Sequence, residues 1–359
     1  MEMILKRDEQ AILLLRKLYQ SYGYRSYKMS RFEEYDLYVR NKDFLVSDQV
    51  ITFSDRSGKL LALKPDVTLS IIKNAGKTAD IQRVYYNENV YRVDPQTRAF
   101  REIMQTGLEC IGNLCDGDVA EVVLLAAKSL QKLGENFVLD ISHMGVVREI
   151  MESSGLSAAA QEKAIVFLHQ KNSHELTKLC AEENCNPEAL LDLIRTDGDP
   201  KTVLQKLNAT QATKQLNTIC RVLTSAGFGD KIRIDFSVSS DMKYYSGVVF
   251  KGYLQGITTW ILSGGQYDKL LQKMGRSGNA VGFAIYLNLL EKIRQVKAYD
   301  VDAVLLYNAT DDVELLFKAA DVLRQTENVL TAQQLPAGLH YRKLYKLQEG
   351  EAILVEDNG

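Results

Sequence analysis

Several familiar routes to function are closed by what this 359-residue sequence lacks. Neither charge sign is in excess, since 44 Lys and Arg against 46 Asp and Glu leave a net charge of -2. Bulk attraction to nucleic acid or anionic lipid is therefore excluded, and only a local patch could supply it. Histidine is scarce, and His143, His169, His174 and His340 form no triad or metal spacing. Each reads as a surface or helix-packing residue. Neither the Walker A pattern nor the dinucleotide fingerprint is present. Cys110/Cys115 and Cys180/Cys185 are too loosely spaced, and lack paired histidines, to read as zinc ligands. An odd five cysteines in a long chain argue for reduced thiols and a cytosolic setting. No long apolar run suggests a membrane span: "MEMILKRDEQAILLLRKL" is broken by charge, so it reads as neither signal peptide nor anchor. It reads as an amphipathic helix with Ala11, Leu14, Leu15 and Leu18 on one face, ended by Gly23.

What is present is an ordinary globular composition, 46% hydrophobic and 25% charged, in a chain long enough for two or three units. "QVITFSDRSGKLLALKPDVTLSIIKNAG" reads strand, turn, strand, short helix. "QRVYYNENVYRVDPQTRAFREIMQTGLECIG" reads as a long antiparallel hairpin turning at Asp94-Pro95-Gln96-Thr97. A helix "DVAEVVLLAAKSLQKLG" and a strand "NFVLDIS" follow. From about Gly145 to Gly227 the pattern is helical, with Asn or Asp before Pro opening "NPEALLDLI" and "DPKTVLQKL". Strand signals return in "KIRIDFSV", "YYSGVVFKGY" and "GITTWILSGG", and a helix is expected from near Ala284. The last segment reads β-α-β plus a final strand. The expectation is α+β: a mainly antiparallel sheet flanked by helices over 1–297, a helical insertion at about 145–228, and a small α/β unit over 298–359.

The strand "FREIMQTGLECIG" carries the strongest hint of a site. Alternation puts Met104, Thr106, Leu108 and Cys110 on a packed face, and Arg101, Ile103, Gln105, Gly107, Glu109 and Ile111 on the other. That second face mixes polar groups with isoleucine and glycine, which suits a pocket floor with space left at Gly107. Gln105 and Glu109 point the same way about 13 Å apart, so side chains converging from both ends can span one amino acid. Blander readings stand beside this one. Asp66 after Pro65 is also placed to cap a helix. Tyr244 and Tyr245 fit a strand's inward and outward aromatics. Glu109 is also able to pair with Arg101 or Arg92 across the hairpin.

In order along the chain, "FSDRSGKLLALKPDVT", "VYRVDPQTRAFREIMQTGLECIG", "YYSGVVF", "SGGQYDKLL" and "AVGFAIYLNLL" resemble the core of class II aminoacyl-tRNA synthetases. They are most similar to the histidyl-tRNA synthetase family, which includes paralogous regulatory subunits of ATP phosphoribosyltransferase. The resemblance runs to about Ile293. It implies a histidine pocket in which Asp66, Thr68 and Gln105 hold the α-ammonium group, and Glu109 and Tyr245 the imidazole. Tyr244 and Tyr267 line it; the arginine that grips the ligand's carboxylate in the family is Ser240 here, which leaves Arg92 as the candidate to turn to it.

Two departures bear on activity. Where the synthetases carry an arginine before their tyrosine pair this chain has Ser240, and where they clasp ATP with an arginine it has Leu289. Cations supply much of the stabilisation of an adenylating transition state. Arg92 and Arg101 remain as a weak anion site. The resemblance therefore implies a cytoplasmic, non-catalytic regulatory subunit with no cofactor and no bound metal. It would bind L-histidine and assemble, as a homodimer within a hetero-oligomer, with a short-form ATP phosphoribosyltransferase catalytic subunit. No nucleic acid or membrane partner is expected. A divergent histidyl-tRNA synthetase and a scaffold with a vestigial pocket are the alternatives.

Overall fold

The computed structural model describes residues 5–42, 50–74, 80–94, 96–238, 244–292 and 299–358. The chain divides into two compact units, Met1–Ile293 and Arg294–Gly359. The first is built on a nine-stranded sheet. Across it lie Arg25–Ser26, Gln82–Val93, Phe100–Gly112, Asn279–Tyr286, Leu262–Gln266, Val248–Leu254, Phe137–His143, Ile232–Asp235 and Asp197–Gly198. Pairing is antiparallel except between the first two strands and between Phe137–His143 and Ile232–Asp235.

One face of this sheet carries the main core. The helix Asp116–Leu133 packs there because Val119, Val122, Val123, Ala126 and Leu130 recur at helical spacing and are all buried. Asp118 Oδ2 secures its start by accepting from the Cys115 N–H at 2.9 Å. The first helix, Arg7–Ser21, buries Ala11, Leu15 and Tyr19. Leu14 was expected in that seam and is instead 45% exposed beside Leu13. An i, i+4 row through Leu15 and Tyr19 leaves its neighbour outside. Tyr19 closes the row with a hydroxyl contact to Ser129 at 3.1 Å.

The helical stretch is not a free module. Its helices, from Met144–Ser153 to Gln211–Ser225, contribute Leu168, Leu176, Leu190 and Leu216 to the same core, and its Asp197–Gly198 extends the sheet edge. His143 caps its first helix, accepting from the Gly145 N–H at 3.0 Å, so this histidine has the packing role expected of it.

The helix expected from Ala284 is wrong: Asn279–Tyr286 is a strand, followed by a 3-10 turn at Leu287–Lys292. Val281, Phe283 and Ile285 alternate into the main core, a period of two that a short apolar run hides. On the opposite sheet face, a three-stranded sheet of Phe32–Glu34, Leu60–Leu63 and Thr52–Ser54 and the helix Thr68–Asn74 surround a second core that includes Tyr86, Ile111 and Tyr267.

The second unit has the sheet order Val329–Ala332, Val301–Leu306, Tyr341–Gln348, Glu351–Asp357, with helix Val313–Arg324 closing a core of Leu305, Leu316, Ala320 and Leu347. The strand Tyr341–Gln348 was not expected from the sequence. Its charges conceal it, since Arg342 and Lys343 are satisfied by Glu327 at 3.0 and 2.6 Å.

Candidate functional site

The face opposite the main core opens into a cavity of about 340 Å³. Its floor is shaped by small residues on registered strands. Glu109 lies opposite Gly282, Gly282 opposite Gly265, and Gly265 opposite Val249. The neighbouring row is Gly107, Ala284, Ser263 and Lys251. A side chain at Gly282 is impossible without displacement, because its Cβ would come within 1.7 Å of Glu109 Oε2. The glutamate therefore lies flat over that glycine. At Gly265 a Cβ would stand 2.7 Å from the Tyr245 ring.

Asp66, Thr68, Arg92, Gln105, Glu109, Tyr244, Tyr245 and Tyr267 all line this one cavity. Glu109 is its centre. It is 2% exposed and accepts from Thr68 Oγ1 at 2.7 Å and from the Tyr267 hydroxyl. Burial pushes its carboxyl up to about 8, while the Tyr267 and Thr68 hydrogen bonds oppose the rise and the nearby Asp66 adds to it. The Glu109–arginine pairing is absent: Glu109 stands opposite Val84, while Arg92 and Arg101 face each other across the hairpin. Arg101 Nε pairs with Asp94 in the turn at 2.8 Å, so only Arg92 reaches the cavity. Arg92 Nε donates to the Pro65 carbonyl at 2.9 Å, and its guanidinium lies 5.9 Å from the Tyr286 ring centre.

Asp66 has both of its expected places. It accepts from the Leu69 N–H at 3.0 Å as a helix cap, and it borders the cavity, where burial raises its carboxyl. The tyrosine pair does not split inward and outward. Tyr244 and Tyr245 meet edge to face at 4.7 Å, and Tyr244 is 5.9 Å from Tyr267, forming an aromatic wall. Gln105 is 3% exposed and its Nε2 has no hydrogen-bond partner among the described residues, so a buried donor faces the cavity unsatisfied.

Two expectations about the floor change. The space at Gly107 is already taken: a Cβ there would meet the Tyr86 hydroxyl at 2.6 Å and the Phe283 carbonyl at 2.2 Å. Thr68, expected at the end of the pocket away from Glu109, is hydrogen-bonded to it. The acidic groups thus gather at one end. The sequence reading also missed Tyr86, Lys251, Trp260, Ser263 and Tyr286, which line the cavity as well. Trp260 and Tyr286 meet edge to face at 5.0 Å, and the Lys251 ammonium is 6.0 Å from the Trp260 ring centre. Strand alternation from Tyr245 would have reached Lys251, but nothing local distinguishes it from a solvated lysine.

Ser240 lies outside the described residues. Leu289 packs against the main core. All five cysteines are free thiols. Among the described residues no group of three His, Cys, Asp or Glu is placed to hold a metal, and no helix is long and apolar enough to cross a membrane.

Comparison with known proteins gives this arrangement a lineage. The family model described as histidyl-tRNA synthetase matches residues 3–290. The chain is similar to an ATP phosphoribosyltransferase regulatory subunit of Alkaliphilus metalliredigens, at 28% identity over 75% of this chain and 72% of the relative. Among solved structures, an ATP phosphoribosyltransferase regulatory subunit/histidyl-tRNA synthetase from Bacillus halodurans aligns with a TM-score of 0.75 at 24% identity, covering 95% of this chain and 93% of that one. A chain of the ATP phosphoribosyl transferase (HisG:HisZ) complex from Thermotoga maritima aligns with a TM-score of 0.65 at 18% identity, covering 78% of this chain and 97% of that one. The α+β fold is thus that of the class II synthetase-like proteins. With its mainly antiparallel sheet, cavity and matching profile, the chain belongs to the histidyl-tRNA synthetase family.

Proposed function

We propose that this chain is a non-catalytic regulatory subunit of ATP phosphoribosyltransferase that binds L-histidine in the cavity over Glu109. It activates a short-form catalytic subunit by assembly and inhibits it when histidine is bound. The observation that carries the reading is the buried carboxylate of Glu109, held by Thr68 and Tyr267 with Asp66 alongside. Such a group calls for a cationic partner, and a histidine offers an ammonium and an imidazole N–H. A cavity of about 340 Å³ is at the small end of ligand sites, which suits an amino acid.

The second half of the reading rests on what the site does not provide for adenylation. Leu289 is an apolar packing residue at the position where the resemblance expects an ATP-clasping arginine. Arg92 is engaged by the Pro65 carbonyl and the Tyr286 ring. Feedback control then requires histidine to favour the inhibited assembly, and the partner to alter histidine affinity reciprocally. Mixing the full chain with a short-form catalytic subunit tests this. Its ATP phosphoribosyltransferase rate should rise on mixing and fall with added L-histidine. Robust histidine-dependent ATP–pyrophosphate exchange by the chain alone would favour a synthetase instead. Unchanged partner activity would favour a scaffold.

A further inference from the structure

One row of the cavity-facing sheet surface continues past the floor: Gly107, Ala284, Ser263, Lys251, Asp140, Arg233. Directly opposed residues in a ladder share a face. The first three are small and leave a trough, with Lys251 at its end. The neighbour that would neutralise this lysine is already engaged, because Arg233 grips Asp140 through Nε at 2.9 Å and a second nitrogen at 3.0 Å. Among the described residues no carboxylate is in ion-pair contact with the Lys251 ammonium, which faces the Trp260 ring. Burial lowers the lysine's proton affinity, with Asp140 and Asp235 opposing the effect. A partly buried cation without a counter-ion is costly unless something else supplies the negative charge.

We infer that Lys251, with the Ser263 hydroxyl beside it, binds the carboxylate of the amino-acid ligand, whose imidazole lies against Glu109. This rests on the histidine reading of the cavity. The Glu109 carboxylate sits over Gly282, which is two strands across and two residues along from Lys251. At sheet spacings those Cα positions are about 12 Å apart. The lysine side chain bridges part of that distance and leaves a gap of amino-acid length. The other cation in the cavity, Arg92, is held by Pro65 and Tyr286 and stands beside Asp66, whereas Lys251 has no carboxylate in ion-pair contact among the described residues.

The test compares L-histidine with L-histidinol, in which a hydroxymethyl group replaces the carboxylate. Each is titrated into the full-length protein, its Lys251→Met variant and its Lys251→Arg variant. Fluorescence of Trp260, the one tryptophan of the chain, is the signal. The readout is the ratio of the two dissociation constants in one preparation. Partial misfolding changes binding stoichiometry and leaves this ratio alone. Lys251→Met is expected to weaken L-histidine about 10- to 100-fold, the loss of a charged hydrogen bond. Histidinol should stay within about twofold of wild type and Lys251→Arg should recover most of the histidine affinity. An unchanged ratio in Lys251→Met overturns the assignment of Lys251 while leaving the histidine reading intact. A wild-type protein that binds neither ligand overturns the histidine reading, and the assignment with it.

Discussion

Replacing Glu109 by glutamine should stabilise the protein at alkaline pH while impairing the site. The wild-type carboxyl is pushed by burial from 4.5 to about 8 despite hydrogen bonds from Tyr267 and Thr68. Each tenfold change in proton affinity corresponds to about 1.4 kcal/mol, so ionising this group in the folded protein costs at most about 5 kcal/mol relative to the unfolded chain. Relaxation of the surroundings brings the expected figure to about 2–4 kcal/mol. The sign follows from proton counting. Between 4.5 and about 8 the folded protein keeps a proton that the unfolded chain has released. Stability is therefore fullest below the lower value, falls as pH rises through the higher one, and levels beyond it. Glutamine has no such titration. Urea unfolding followed by Trp260 fluorescence, which reports on the unit that contains the cavity, measures this at about pH 5 and pH 9. The stability difference should move toward the Glu109→Gln variant by about 2–4 kcal/mol between those conditions. A difference that does not change with pH would refute the desolvation argument.

Other consequences follow from the same geometry. By calorimetry, Glu109→Gln should weaken L-histidine by about 1.5–3 kcal/mol, and leave assembly with the catalytic subunit intact. The pH dependence of L-histidine affinity should differ between wild type and Glu109→Gln across about pH 6 to pH 9, since only the wild type titrates beside the ligand; identical profiles would contradict this. Gly282→Ala forces a Cβ to within 1.7 Å of Glu109 Oε2 and 2.5 Å of the Leu108 carbonyl. It should cost about 1–3 kcal/mol in urea unfolding and weaken the ligand, and no effect on either would show that the glutamate does not lie over that glycine. Lys64→Ala removes the partner of Glu88 from a pair whose side chains are 1% and 14% exposed. It should cost about 3 kcal/mol by the same unfolding assay, and a loss below about 1 kcal/mol would mean that Glu88 is resolvated without strain.

Strand periodicity was enough to put Gln105 and Glu109 on one face, and Leu108 and Cys110 in the opposite core. The ordered family segments named eight residues, and the structure brings all eight of them to one cavity. The contacts that set the chemistry were not legible. Glu109 meets Thr68 and Tyr267, which are 41 and 158 residues away in sequence, and only the closed fold brings them together. Gly107 was expected to leave room for a ligand, but the Phe283 carbonyl and the Tyr86 hydroxyl from the adjacent strands fill that space. The helix reading at Ala284 failed because short apolar runs fit either period. Tyr341–Gln348 failed because charge on a strand reads as loop until its partner, Glu327, is in place. Lys251 was passed over for a related reason. That no carboxylate is in ion-pair contact with it among the described residues follows only from the fold, in which Arg233 occupies Asp140.

Histidine sensing by the cavity over Glu109 is tested most directly by calorimetric titration of the full chain with L-histidine, alongside L-histidinol and L-glutamine. Saturable binding of L-histidine, weaker binding of histidinol and none of glutamine is the predicted result. Binding of L-glutamine as tightly as L-histidine, or heats of dilution alone for all three, would contradict it.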